Sequence, residues 1–390
     1  MIWQEKSTVC LKTRMMIKDK KVLYLYSYNL KPPLMSGGAV LTNRNLDNFK
    51  AILGEENLIV NNLDLRQSVK ENACQKICRW VRFVLQGYNA DLTSDKLFSI
   101  FRTIEKEKIS VIILDLSLWG KLNRAIKKKF SKIEVITHFH NIELHFLLCH
   151  IKAERKYFRI DLILSFFLNE RNSCRHSDKV IVLNSRDAYY LKKYYKRNDP
   201  YIVPVSINDE FELKRYELAV PTEKFSILFV GSLFFANIQG ITWFVDEVML
   251  SFPDIILNVV GKNLNEVRHR LERKNVKVFS DVPCIKDFYY NANLVVMPIF
   301  TGGGMKVKTA EALMYGKTII GTPEAFCGYK YNSGIGKICT NKKEFCEAIN
   351  YYLIHKDNKY NNSSRELYLE KYSYGASLHL FEKILLGNNQ

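Results

Sequence analysis

Apolar residues come along this chain in short continuous runs separated by amphipathic stretches, and the alternation predicts a repeating βα pattern. The runs at Lys21–Tyr26, Ile109–Leu114, Ile133–Thr137 and Lys179–Leu183 are too short for helices, and they read as strands. Between them, apolar residues recur at helical spacing, as with Leu41, Leu46, Phe49 and Leu53 ahead of Gly54. This is the signature of a doubly wound α/β sheet. A polar stretch from Pro204 to Pro221, with two prolines and a run of charge, interrupts the pattern. It restarts with strands at Ser226–Val230, Ile255–Val260, Val276–Phe279, Leu294–Pro298 and Thr318–Gly321. The expected organisation is an extension over 1–19 with no clean period, a doubly wound domain over 20–207, a second over 222–365, and a terminal helical segment over 366–390.

The segment Pro298–Lys317 reads as strand end, glycine turn and helix. Gly302, Gly303 and Gly304 let the backbone turn sharply and let a ligand approach main-chain N–H groups. The helix start that follows is an anion site, because unpaired N–H groups and the positive end of the dipole point at one spot, with Lys306 and Lys308 adding full charges. The dipole supplies only about 0.3 to 1 kcal/mol, whereas micromolar binding needs roughly 8, so a diphosphate must find further contacts. Glu311 shares a stripe with Lys308, and a carboxylate beside an anion site suits the vicinal hydroxyls of a ribose. Alternatively, the segment is an ordinary β-α turn with a solvated lysine pair.

A second glycine-containing loop, with Pro32, Pro33, Ser36, Gly37 and Gly38, follows the first strand, where a parallel sheet binds ligands. It lacks the GxGxxG of a dinucleotide fingerprint. Four of the eight histidines fall in THFHNIELHFLLCH, and His138 and His140 are placed just after a strand. His145 and Cys149 stand at i, i+4, but no second pair of ligands follows at a familiar spacing, so no metal site is expected.

The formal net charge of +18 points to anionic partners. Basic residues cluster at Lys127–Lys129, at Lys152, Arg155, Lys156 and Arg159, and at Lys192, Lys193, Lys196 and Arg197, which fits an anionic membrane surface as well as a merely solvated face. Nucleic acid is not expected, since no reader fold is visible. No apolar run approaches the roughly 18 residues of a spanning helix. Nine scattered cysteines and the absence of a signal-like start point to reduced thiols in the cytoplasm.

The segment around Gly302–Glu311-Ala312 resembles the donor-binding motif of glycosyltransferase family 4, the "glycosyl transferases group 1" type with the GT-B fold. The resemblance extends to His140-Asn141-Ile142-Glu143, to Asn237 with Trp243 and Phe244, and to SDVPCI around Val282. It implies two Rossmann-like domains facing across a cleft, with the terminal segment crossing back to the first. It further implies a retaining, metal-independent transfer of sugar from a nucleotide diphosphate sugar, which serves as co-substrate with no other cofactor. The acceptor would be a glycan or lipid-linked molecule of cell-surface polysaccharide assembly, and the enzyme would sit on the inner face of the cell membrane. By the resemblance Glu311 holds the ribose, Lys306 and Lys308 face the diphosphate, His140 contacts the sugar, and Gly37, Gly38, Ser232, Asn237, Val282, Gly302, Gly303 and Gly304 line the donor. Two positions depart from the family pattern: Gly303 stands where a sugar-binding glutamate is usual, and Ser232 where an arginine is. The chain resembles the subset of the family that carries a GGG turn with a following basic pair. A non-catalytic binding scaffold and a sugar epimerase on the same fold are the alternatives.

Overall fold

The computed structural model describes residues 20–30, 37–63, 72–74, 77–78, 80–81, 92–154, 160–217, 224–355 and 359–387. The extension 1–19, Ser36, and Arg155, Lys156 and Arg159 of the basic series lie outside the described residues. The chain forms two compact units: the first is built mainly from residues up to Pro204 together with Ser377–Gln390, the second from Val205–Ala376.

In the first unit six strands, β1 (Val22–Tyr26), β2 (Leu58–Asn62), β3 (Val111–Leu114), β4 (Glu134–Phe139), β5 (Lys179–Val182) and β6 (Tyr201–Ile202), form one parallel sheet in the order β2-β1-β3-β4-β5-β6. The central strands are apolar throughout because both faces are covered. Val22, Tyr24, Val111 and Ile113 pack on one face with Phe49 and the terminal-helix residues Phe381, Ile384 and Leu385. Leu23, Leu25, Ile112 and Leu114 pack on the other with Ile100, Ile104, Leu122 and Ile126.

The second unit repeats the design with β7 (Ser226–Val230), β8 (Ile256–Gly261), β9 (Val276–Ser280), β10 (Leu294–Met297), β11 (Ile319–Gly321) and β12 (Gly336–Ile338), in the order β9-β8-β7-β10-β11-β12, again all parallel. Strand order reverses between β7 and β10. A crevice opens outside the carboxyl ends of strands at such a switch point, so the segments leaving β7 and β10 are the ones placed to meet a ligand.

Four details differ from the sequence-based expectations. β2, β6 and β12 were not expected; each is short and lies at or next to a sheet edge. β4 continues through Phe139, which puts His138 within the strand and leaves only His140 beyond it. Gly37 and Gly38 form the first turn of the helix Gly37–Leu53 rather than part of a loop. The chain changes units at Ser377, not 366, because Tyr368 and Tyr372 are buried in the second unit, the Tyr368 hydroxyl donating to the Ile207 carbonyl at 3.0 Å and the Tyr372 ring packing 4.7 Å from Tyr329.

The helix Phe235–Trp243 that leaves β7 lies directly on the end of β10, since a Cβ at Gly240 would come 1.6 Å from the carbonyl oxygen of Pro298. Backbone meets backbone there, so no side-chain motion relieves the overlap. Gly240→Ala is expected to destabilise the protein by about 1–3 kcal/mol, the range for overpacking a filled site, and to do so as a lowered urea midpoint with an unchanged m-value. An unaltered midpoint would show that this helix is free to shift.

Candidate functional site

At the switch point of the second unit, the chain leaves β10, turns through Gly302–Gly304, and enters the helix Val307–Met314. Gly304 has φ +58°, which favours glycine. The N-cap residue, Lys306, gives the helix no side-chain acceptor, so the first N–H groups are uncapped by a side chain, as an anion site requires. Thr309, Ala310, Ala312, Leu313 and Met314 are buried, which fixes the helix and leaves Lys308 and Glu311 half-buried on the neighbouring stripe.

The two candidate lysines differ in their surroundings. The Lys306 ammonium is ion-paired with Glu324 at 2.6 Å and donates to the carbonyls of Gly303 and Gly304, both at 3.1 Å, so it braces the glycine turn. The Lys308 ammonium donates to the Asn237 side-chain oxygen at 2.7 Å and lies 4.8 Å from the centre of the Phe229 ring. Asn237 in turn donates to the Ser232 carbonyl at 2.9 Å, which ties the turn after β7 to this helix. A Cβ on Gly231 would come within 2.9 Å of both Asn237 and the Lys308 nitrogen, so a larger residue there would displace these side chains. Burial pushes the Lys308 pKa down to about 7, with nearby Glu311 opposing and Lys306 adding to the fall. Burial raises Glu311, while the Tyr289 hydroxyl, donating at 3.1 Å, and Lys308 lower it. Val282 follows β9 at its carboxyl end, half-buried, and the Ser232 side chain is exposed.

The first unit carries a separate cluster at the carboxyl edge of its own sheet. Strand register places Leu114 beside Thr137, and so brings Asp115 alongside His138. Asp115 Oδ1 lies 3.0 Å from His138 Nδ1 and 3.0 Å from His140 Nε2, and it accepts from Asn45 Nδ2 at 2.9 Å; Oδ2 accepts from the Thr42 hydroxyl. All five residues are buried. Burial alone raises the Asp115 carboxyl, yet the two imidazoles against it hold it well below the usual carboxylate range. Burial pushes His138 down to about 4 and keeps it neutral. The ring of Tyr28 is parallel to that of His140 within 3°, with centroids 5.6 Å apart. Gly38 meets the same tyrosine, since a Cβ there would come 2.5 Å from its ring.

The ligand atoms of Asp115, His138 and His140 lie within 4.8 Å of one another, close enough to hold a metal ion. The surroundings suit hydrogen bonding better. The amide nitrogen of Asn45 is 2.9 Å from both Asp115 Oδ1 and His138 Nδ1, so a donor fills the space beside them, and the outer nitrogens, His138 Nε2 and His140 Nδ1, lack the partner that a metal-bound imidazole has. His145 and Cys149 do come together, at 3.6 Å, while the His145 ring stacks on Tyr190.

Residues 224–355 match the model of the family described as glycosyl transferases group 1. Solved structures resemble most of the chain. Sucrose-phosphate synthase from Thermosynechococcus elongatus has a TM-score of 0.72 at 14% identity, covering 95% of this chain and 100% of that one. The Anabaena protein HepE, solved with UDP and glucose, has a TM-score of 0.64 at 12% identity, covering 94% and 99%. A glycosyltransferase from Rickettsia africae has a TM-score of 0.63 at 13% identity, covering 95% and 100%. A search among curated proteins found no match. The fold is GT-B, two α/β domains each built on a parallel sheet.

Sequence reasoning missed Asp115, Tyr289, Glu170 and Lys317. Glu170 is buried and accepts from the backbone N–H groups of Glu143 and Leu144, the Ser117 hydroxyl and the Tyr195 hydroxyl, joining the segments that follow β3, β4 and β5. Lys317, fully buried, donates only to the carbonyls of Tyr290, Ala292 and Lys359. Burial pushes its pKa down to about 7. A lysine depressed from about 10.5 to about 7 binds fewer protons folded than unfolded between those values, so stability rises with pH across that window. Urea unfolding is therefore expected to show stability increasing from about pH 7.5 to 8.5, above which Cys174 and Cys339, whose thiols burial raises, oppose the rise as cysteines of the unfolded chain ionise. Lys317→Met and Lys308→Met should each flatten part of the rise. A profile that fails to rise across that window would count against depressed pKa values for both ammonium groups.

Proposed function

We propose that the chain is a retaining glycosyltransferase that moves a sugar from a nucleotide diphosphate sugar to a glycan or lipid-linked acceptor of cell-surface polysaccharide assembly. The observation that carries this reading is the uncapped helix start at Lys306, with Lys308 and Glu311 on one stripe, at the switch point of a sheet whose residues match glycosyl transferases group 1. HepE structures hold UDP, and UDP-glucose, which supports a nucleotide sugar as donor here.

On this reading Glu311 accepts hydrogen bonds from the ribose, anchored from behind by Tyr289. The helix start and Lys308 stabilise the departing diphosphate, which is electrostatic catalysis aimed at the place where charge develops. Lys306, already paired with Glu324, holds the turn in shape. The GGG turn and the Glu311-Ala312 pair support membership of family 4 and of its GGG subset, and the positive groups at the turn support a transfer that needs no metal ion. Attachment to an anionic membrane face is supported by Lys128, Lys152, Lys192, Lys193 and Lys196, all exposed; Lys127 and Lys129 are instead paired with Asp178 and Glu105. No helix among the described residues is long and apolar enough to cross a membrane.

Two substitutions test the assignment by calorimetry and steady-state kinetics with a panel of nucleotide sugars. Glu311→Ala is expected to weaken nucleotide binding by about 1.5–3 kcal/mol with a smaller effect on turnover at saturation, because ribose contacts are alike in ground and transition states. Lys308→Ala is expected to lower the maximal rate on the order of a hundredfold. Nucleotide binding that is lost on Glu311→Ala, in a parent chain that transfers no sugar, would favour a binding scaffold. For the membrane, co-sedimentation should be stronger with anionic than neutral vesicles and should weaken as salt rises; equal binding to both would remove that part of the proposal.

A further inference from the structure

We propose that Asp115 is a positioning residue for His140: its carboxylate fixes the imidazole as the Nε2–H tautomer and leaves Nδ1 as a buried acceptor for a hydroxyl group of a carbohydrate. The inference deepens the reading as a glycosyltransferase and rests on it for the class of ligand.

Three observations lead there. First, His140 Nε2 is 3.0 Å from Asp115 Oδ1, a carboxylate oxygen that can only accept, so the proton of a neutral His140 belongs on Nε2. The opposite tautomer would set a nitrogen lone pair against that oxygen and leave an N–H group buried with no acceptor. Second, His140 Nδ1 is buried and has no partner among the described residues, although the ring as a whole is 4% exposed. Asn45 Oδ1 and His138 Nε2 in the same cluster are unpartnered too, and a buried acceptor left open at the carboxyl edge of the sheet points to a group supplied from outside the chain. Third, the ring is held on all sides that set its direction. Tyr28 lies parallel to it, His138 meets it edge-on with centroids 4.9 Å apart, and Asp115 is itself fixed by Thr42 and Asn45. A single protonation pattern in a fixed ring is what lets an imidazole distinguish a donor from an acceptor.

His138 shares the carboxylate but not the role. Its ring sits within β4, 6.2 Å from Phe381 in the core, and burial keeps it neutral.

The test uses the full chain labelled with 15N-histidine and long-range proton–nitrogen correlation spectra at neutral pH. His140 is expected to show a protonated Nε2 and an unprotonated Nδ1. The reverse assignment, or a mixture of tautomers, overturns the proposal, as would joint movement of the His138 and His140 nitrogens on adding one equivalent of zinc, which would mark a metal site. Asp115→Leu is expected to release His140 into a mixture. Where that variant fails to fold, Asp115→Asn serves: its amide oxygen accepts the same bonds while the Thr42 hydroxyl turns to accept from its nitrogen, so the tautomer is kept and the Nε2 proton moves upfield as the charge is lost. An Asp115→Asn spectrum identical to the parent's overturns the proposal. In transfer assays Asp115→Leu and His140→Ala should each lower turnover on the order of tenfold at unchanged nucleotide affinity, and the double variant should be no worse than either. Additive losses count against the coupling. A parent chain with the expected tautomer and no transfer activity would refute the glycosyltransferase reading while supporting the role of Asp115. A chain that transfers sugar with His140 protonated on Nδ1 would do the reverse.

Discussion

The second unit's site depends on how one ammonium group is accommodated. Lys308 points into a half-buried position where its nearest partner is a neutral amide and its neighbour is the face of Phe229. A cation held this way keeps its position but has little of its charge compensated, which is why its pKa falls. Two other lysines of the unit are treated differently. Lys306 has a carboxylate, and Lys317 has three carbonyls and no access to water. Of the three, Lys308 is the one whose electrostatics an arriving anion improves most. Its position is set by glycine on one side, through Gly231, and by the Asn237–Ser232 link on the other, so changes in the turn after β7 reach the charge directly.

Buried carboxylates do the corresponding work in the first unit. Asp115 gathers two imidazoles, an amide and a hydroxyl; Glu170 gathers two backbone N–H groups and two hydroxyls. Each is surrounded by donors, and the segments that supply those donors follow different strands. Removing either acid would strand several donors at once, a larger loss than any single bond suggests. Burial nonetheless raises Glu170 to about 7, with Tyr195 and the two backbone groups pulling the other way, so its ionised state depends on that full set of partners.

Much of the fold was legible because a strand covered on both faces must be apolar along its whole length. VIIL at β3 and LVVM at β10 are wholly buried and unmistakable as strings. β2, LIVNN, alternates in burial at the edge of its sheet, and β6 has only two residues, so neither leaves a periodic trace. The glycine turn, the helix after it and the Lys308–Glu311 stripe followed from local spacing alone. Asp115 did not, because its significance arises from the register of β3 against β4, a relation between residues more than twenty positions apart. The nearest available signal was a lone carboxylate placed directly after a fully apolar run. Tyr289, Glu170 and Lys317 were hidden for the same reason: their partners are assembled by packing, not by sequence proximity.

The path of the chain also has a consequence for synthesis on the ribosome. The described residues of the second unit lie in one stretch, Val205–Ala376, whereas the first needs Ser377–Gln390, and with it Phe381, Ile384 and Leu385, to complete the cover on one face of its sheet. Domains usually mature from the amino end as they emerge. Here the order is inverted: the later-made unit has its described core in hand first, while Val22, Tyr24, Val111 and Ile113, covered early by Leu46, Phe49, Ile52 and Leu53, wait for Phe381, Ile384 and Leu385 to complete that face. A nascent chain stalled before residue 377 would present that half-covered face to chaperones and to other chains, whatever the state of the unit behind it.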